Sequence, residues 1–406
     1  MSTTSPASRG KVLLLENIHA SAEALFREAG FEVQAVKGAL KGEALKAALE
    51  GVTLLGIRSK THVTADVLQA APGLLSVGCF CIGTNQVELK AASALGMPVF
   101  NAPFSNTRSV AELVIAEVVV LSRQLGDRLR EMHEGKWRKV STGSHEVRGK
   151  TLGIVGYGHI GSQVGVLAES MGMRVLYHDV ATKLPLGNAR SCNTLEALLA
   201  ESDVVTLHVP ATLQTENLVA APQLKQMKKG AALINNARGT VVDIAALADA
   251  LRSGHLSGAA VDVYPEEPET NSDGFRTPLQ GLPNVVMTPH VGGSTEEAQE
   301  SIGREVATAL LRFVRAGATT GSVNFPQVEL PPSPGTHRVL NVHRNVPGVL
   351  GNINRIVSEL DANIHAQMLS TDAQVGYLVM DIEKDVAEEV SARVAALSTD
   401  IRTRVA

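Results

Sequence analysis

At 406 residues, with 44% hydrophobic and 19% charged side chains, the chain is long enough for two or three domains that each bury a core. A formal net charge of −4, from 37 basic and 41 acidic residues, excludes long-range attraction to nucleic acid or an anionic membrane, so a phosphorylated ligand needs a local cluster of Arg or Lys. Cys79, Cys81 and Cys192 make neither a disulfide framework nor a complete zinc set; no metal site is expected, and a reduced cytoplasmic setting fits. The opening MSTTSPASRG lacks the apolar core of a signal peptide and is expected to be a disordered tail, residues 1–10. The longest apolar stretch, Leu113 to Leu121, is interrupted by Glu117 and falls far short of a membrane span.

Residues 11–105 alternate apolar strand-like runs with helical spacing. Val12 to Leu15, the alternating Phe31 to Val36 and Thr53 to Ile57 read as strands, and Ser21 to Ala29 and Ala39 to Leu49 as helices, which implies a parallel sheet. Loops after strand candidates hold polar groups: Arg58 and Ser59, Thr84 and Asn85, then Asn106 and Arg108. Asn106 to Arg130 reads as one long helix with Ser109 as its cap.

Thr151 to Gly161, TLGIVGYGHIG, then organises the chain. An apolar run meets Gly156, Gly158 and Gly161 at the spacing G-x-G-x-x-G, with His159 and Ile160 inside it, and a helix-compatible segment follows. Such a turn admits close approach of a pyrophosphate, and the helix end offers it free N–H groups. The next apolar run ends at Asp179, where a carboxylate can accept the ribose hydrogen bonds and would repel a 2′-phosphate, so NAD is expected rather than NADP.

Four further strand candidates each end in polar groups: His208 and Pro210; Asn236, Ala237 and Arg238; Asp262 followed by Glu266 and Glu267; and His290 with Gly292 and Gly293. In a doubly wound sheet these positions share the edge that holds the dinucleotide, so all of them are expected to line the cofactor or the reacting carbon. His290 is the natural base for an alcohol, Glu267 would fix its tautomer, and the Arg238 fork matches a carboxylate. Such a set suits oxidation of a 2-hydroxy acid. Gly292-Gly293 would suit a hinge where Thr295 to Arg315 returns the chain to the first domain. No elbow motif supports a serine nucleophile at Ser141 or Ser144.

The expected organisation is a substrate-binding domain of residues 11–105 and 295–328, a dinucleotide domain of 106–294, a proline-rich linker of 329–337 and a regulatory unit of 338–406. The last unit reads strand, helix, strand, strand, helix, strand, the ferredoxin-like split motif, whose sheet faces would need cover from a second copy. The fold class is therefore α/β: two doubly wound Rossmann-like parallel-sheet domains plus a C-terminal βαββαβ domain.

GYGHIG, Asp179, NNARG, the acidic PEEP and TPHVGGST resemble the D-2-hydroxyacid dehydrogenase family, and HRNVPGVLGNINRIVSELDANIHAQMLST resembles a serine-binding ACT segment. The resemblance implies NAD-dependent oxidation of 3-phosphoglycerate to 3-phosphohydroxypyruvate by a homotetramer subject to feedback inhibition by L-serine. It further implies a substrate cleft at Arg58, Ser59, Asn106 and Arg108, with Arg58 on the phosphate, and an interface position at Trp137. Serine would be bound by His343, Asn345 and Asn363 across two regulatory domains, with Arg344 where the type often has an acidic residue. Charge chemistry alone leaves open 2-hydroxyglutarate, hydroxypyruvate or glyoxylate, and a non-enzymatic NAD-sensing corepressor.

Overall fold

The computed structural model describes residues 9–268, 273–383 and 386–406, so residues 1–8 of the expected tail lie outside it. The two tail residues that are described are tied down: the Arg9 N–H donates to Gly30 and the Gly10 carbonyl accepts from Glu32. The chain divides into two units, residues 9–105 with 299–406, and residues 106–298.

The first unit opens with β1 (Lys11–Leu14), α1 (Ala20–Glu28), β2 (Glu32–Ala35), α2 (Gly42–Ala48), β3 (Val52–Ile57), α3 (Ala65–Gln69), β4 (Ser76–Cys79), α4 (Leu89–Ala94) and β5 (Val99–Asn101). All pairings are parallel in the order β2-β1-β3-β4-β5. Near-continuous apolar runs in β1, β3 and β4 suit a sheet covered on both faces. Leu13, Leu55 and Val77 pack under α2 to α4, while Val12, Leu54 and Phe100 join a second cluster.

The second unit starts with α5 (Thr107–Arg123) and α6 (Leu125–His133). The single helix expected over residues 106–130 is broken at Gln124, whose left-handed backbone (φ 53°) ends one helix and begins the next. Asn106 stands at the cap position; Ser109 lies a turn inside and bonds the Thr295 hydroxyl at 2.8 Å. Then come β6 (Thr151–Val155), α7 (His159–Ser170), β7 (Arg174–His178), β8 (Arg190–Ser191), α8 (Leu195–Glu201), β9 (Val204–Leu207), α9 (Ala221–Gln226), β10 (Ala232–Asn235), α10 (Ile244–Arg252), β11 (Gly258–Val261) and β12 (Val285–Met287). This parallel sheet runs β12-β11-β10-β9-β6-β7-β8, reversing direction of growth between β6 and β9. One face is covered by Val110, Val114 and Val118 of α5 and by α7, the other by α8 to α10.

Helix α11 (Glu296–Ala316) carries the chain back into the first unit, where Ile302, Val306 and Leu310 join the Val12 cluster. The Val323 N–H then donates to Val99, and the Asn324 side chain accepts from Val99 and donates to Met97. The chain ends with β13 (Thr336–Arg344), α12 (Val349–Glu359), β14 (Ile364–Thr371), β15 (Val375–Glu383), α13 (Ala387–Ala395) and β16 (Asp400–Val405). Thr336 and His337, expected in the linker, already belong to β13.

The C-terminal strands form an antiparallel sheet in the order β14-β15-β13-β16. One face packs Val339, Leu378 and Met380 under α12 and α13. The other face was expected to need a second copy, yet Leu340, Val342, Tyr377 and Val379 bury themselves against Phe313, Phe325 and Val328 of the same chain. Buried Arg338 reinforces the junction, pairing with Asp381 at 2.6 Å and donating to the carbonyls of Ala316, Leu330 and Pro331.

Candidate active site and cofactor edge

Because every strand of the second sheet is parallel, the loops after β6, β7, β9, β10, β11 and β12 emerge at one edge. Gly156 follows β6 with a left-handed backbone (φ 91°), and a Cβ there would stand 2.5 Å from the His208 carbonyl of the neighbouring strand end. A Cβ on Gly161 would stand 2.2 Å from the Gly156 carbonyl, so only glycine lets α7 start this close to β6. At Gly158, which caps α7, nothing of the protein lies within 4 Å of a Cβ position. That bare space before a helix N-terminus, beside exposed His159 and half-buried Ile160, fits a pyrophosphate.

Asp179, at the end of β7, accepts from the Tyr157 N–H at 2.8 Å and from the Ala181 N–H at 2.9 Å. Its carboxylate is thereby fixed beside the glycine turn, where it keeps lone pairs for ribose hydroxyls. At the β9 end, burial pushes the His208 imidazole down to about 3, so it is neutral; Nε2 meets the Thr206 hydroxyl at 3.0 Å and buried Nδ1 has no protein partner. Pro210 is exposed just beyond.

After β10, the buried Asn235 side chain folds the next turn by accepting from the Ala237 N–H and donating to the Arg238 carbonyl. Ala237 is buried, and the half-buried Arg238 guanidinium donates to the Ala237 carbonyl at 2.6 Å. A Cβ on Gly239 would overlap the Tyr264 carbonyl, so the Arg238 turn lies directly against the loop that carries Glu267.

The loop after β12 is organised by Asp262, 1% exposed, which accepts from the Thr288 hydroxyl and the N–H groups of Val291 and Gly292 at 2.6 to 2.8 Å. Between these anchors His290 adopts a left-handed backbone (φ 56°) and presents Nδ1 to Glu267 Oε2 at 2.8 Å. The other Glu267 oxygen accepts from the Tyr264 N–H at 3.0 Å. Burial alone would raise Glu267, but the His290 and Tyr264 hydrogen bonds and the charges of His290 and Arg238 outweigh it, and its carboxyl lies below the usual range. His290 is raised, first by the hydrogen bond to Glu267, against burial and the repulsion of Arg238. An ionised carboxylate only accepts, so Nδ1 carries the proton and Nε2 the lone pair.

Gly292 and Gly293, expected to suit a hinge, permit close approach: neither has a positive φ, and a Cβ would stand 2.9 Å from Asp262 and 2.4 Å from Asn106 respectively. Asn106 thus packs against the loop that carries His290, whereas Arg108 is exposed and pairs with Glu112 one turn along α5. Arg58 and Ser59 lie in the first unit, in the loop after β3.

Glu117 is a residue the sequence reading left without a role. On the buried face of α5, it accepts from Asn236 at 2.8 Å, and burial pushes its carboxyl up to about 8. The apolar stretch it interrupts was the available signal, since a buried carboxyl on an otherwise apolar helix face demands a partner.

In the C-terminal sheet, buried His343 meets Asn341 Oδ1 through Nδ1 at 2.8 Å, and burial lowers its pKa. His343 pairs with Gly376, and the Asn345 N–H bonds Gln374, so both stand at one end of the sheet. Asn363 precedes β14, whose first residue pairs with Ile382 at the opposite end. One chain therefore separates Asn363 from the other two. Among the described residues no group of three or more His, Cys, Asp or Glu could hold a metal ion, and no helix is long and apolar enough to cross a membrane.

The model of the D-isomer specific 2-hydroxyacid dehydrogenase NAD-binding domain matches residues 115–292, and that of the AHAS small subunit-like ACT domain matches residues 340–402. D-3-phosphoglycerate dehydrogenase of Dictyostelium discoideum is 53% identical over 99% of this chain and 98% of its own length. The enzyme of that name from Escherichia coli K12 is 52% identical over 97% of each. D-lactate dehydrogenase of Aquifex aeolicus, solved with NAD and lactic acid, superimposes with a TM-score of 0.67 at 26% identity, covering 78% of this chain and all of that one.

Proposed function

This chain belongs with the D-3-phosphoglycerate dehydrogenases of the D-isomer specific 2-hydroxyacid dehydrogenase family, an NAD-dependent oxidoreductase, and from that premise we propose that it oxidises 3-phosphoglycerate to 3-phosphohydroxypyruvate under feedback control by L-serine. NAD supplies the acceptor for a hydride leaving C2 of the substrate. The chain's own groups do the rest. Arg238 takes the substrate carboxylate in a two-pronged grip that also polarises the C2 oxygen. His290 Nε2 takes the hydroxyl proton as the hydride departs, and Glu267 stabilises the imidazolium so formed. Arg58 and Ser59 take the phosphate, and Asn106 orders the loop beyond His290.

The observation that carries this reading is the 2.8 Å bond from His290 Nδ1 to Glu267 on the edge where the glycine turn lies, with Arg238 close enough for its charge to act on both. His343 and Asn345 of one copy with Asn363 of another form the serine site, which is why the working form is an oligomer, a tetramer by resemblance, acting in the cytoplasm. The test is reduction of 3-phosphohydroxypyruvate by NADH with purified protein, with and without L-serine. Turnover that falls on addition of serine supports both parts; no NADH oxidation rejects the activity.

A further inference from the structure

Glu16 stands two residues beyond the end of β1 and is 7% exposed, a rare place for a carboxylate. Its backbone is left-handed (φ 63°), a conformation in which glycine would be unstrained, so its side chain has a reason to be kept. That side chain collects three main-chain donors from the loop after β3. Oε1 accepts from the N–H groups of Arg58 at 3.1 Å and Thr61 at 2.9 Å, and Oε2 accepts from the Lys60 N–H at 2.9 Å. Converging N–H groups of this kind form a ready anion site, and here the protein fills it with its own carboxylate.

The other main-chain group of the same residue is held too. Gln86, also 7% exposed, donates from Nε2 to the Arg58 carbonyl at 2.7 Å and to the Gly83 carbonyl at 3.2 Å. Arg58 is thus gripped by buried side chains at both its N–H and its C=O; the residue as a whole is half-buried and Ser59 is exposed. With the N–H groups of Arg58, Lys60 and Thr61 already satisfied by Glu16, an arriving anion meets chiefly the side chains of this loop. We propose that Glu16 and Gln86 are positioning residues that fix the Arg58 loop for the phosphate of the substrate, and so set the preference for phosphorylated over unphosphorylated 2-oxo acids. This rests on Arg58 being the phosphate ligand.

Pre-organisation of one ligand makes a specific signature. A pre-set guanidinium contributes to binding of a phosphorylated substrate and nothing to one without phosphate. The experiment compares steady-state reduction of 3-phosphohydroxypyruvate and hydroxypyruvate by NADH in the full chain and in Glu16→Ala, Gln86→Leu, Arg58→Ala and the Glu16→Ala/Arg58→Ala double variant. The expected result is a tenfold or greater rise in KM for the phosphorylated substrate in each single variant. In Glu16→Ala and Gln86→Leu kcat should stay within threefold and KM for hydroxypyruvate and NADH should be unchanged, and Glu16→Ala should add less than twofold to Arg58→Ala. Gln86→Leu keeps the test decisive if Glu16→Ala does not fold. If Arg58→Ala destroys the preference while Glu16→Ala and Gln86→Leu retain it, the positioning role is overturned and the phosphate assignment stands. If Arg58→Ala itself leaves the preference intact, the phosphate assignment falls. Equal loss on both substrates, additive with Arg58→Ala, reduces Glu16 to a structural role and also overturns the proposal.

Discussion

The two sheets that carry the proposed sites solve opposite problems. In the second unit all strands run the same way, so residues from distant stretches of sequence, Arg238, Glu267 and His290, emerge at one edge and a single chain completes the constellation. In the C-terminal sheet every neighbour runs the other way. β13 and β14 both run against β15 and therefore in the same direction, so Asn363, which precedes β14, stands at the opposite end from His343 and Asn345, which close β13. Arg238, Glu267 and His290 all follow strands of one parallel sheet and share its edge, whereas the residues of the proposed serine site lie at two ends of one sheet and would need a second copy to meet.

The largest effect should come from the self-contained edge. His290→Ala is expected to lower turnover by roughly 10² to 10⁴-fold while NADH affinity, measured by fluorescence quenching, is unchanged. Turnover retained within a fewfold would remove the base assignment. Next, Asp179→Ala should raise KM for NAD by about tenfold or more and relax discrimination against NADP, because the carboxylate that excludes a 2′-phosphate is gone; kinetics with both cofactors decide it.

The antiparallel side is sharpened by mixing. His343→Ala and Asn363→Ala should each blunt serine inhibition with activity intact. Oligomers reassembled from the two variants should regain part of it, since half the sites at a mixed interface receive both native residues. No recovery on mixing would place all three residues in one chain's site and contradict the separation described above.

The smallest expected effect concerns Glu117. Its folded-state pKa of about 8 lies above the ordinary carboxyl value of 4.5, so between those limits the folded chain holds a proton that the unfolded chain has released. Stability therefore falls as pH rises through that window, by on the order of 1 kcal/mol per pH unit. Glu117→Gln should flatten this slope in thermal unfolding at pH 6 and pH 8, and equal slopes in parent and variant would refute the buried-proton reading.

How much of this was legible beforehand follows the same physics. Apolar runs ending in polar loops state a parallel sheet almost outright, and a parallel sheet states its own functional edge, which is why Gly156, Asp179, Arg238, Glu267 and His290 could be named from sequence. Glu16 and Gln86 could not, because their roles consist of bonds to main-chain groups of residues 42 to 45 and 28 positions away. An acidic residue closing the run KVLLLE was the one visible trace. The break at Gln124 was hidden for a different reason: apolar spacing continues across it, and nothing in a glutamine announces a left-handed backbone. The partner of the second C-terminal sheet face was likewise hidden, since Tyr377 and Phe325 are each ordinary core residues until their rings are seen 5.8 Å apart.

The account turns on a proton passed to His290 with Glu267 behind it. Its most direct test is the pH profile of kcat for oxidation of 3-phosphoglycerate by NAD, in the parent and in Glu267→Gln. Oxidation needs neutral His290, so activity should rise as pH passes through its raised pKa. Replacing Glu267 removes the leading cause of that rise, and the acid limb should move to lower pH with reduced turnover. Superimposable profiles at equal turnover would contradict it.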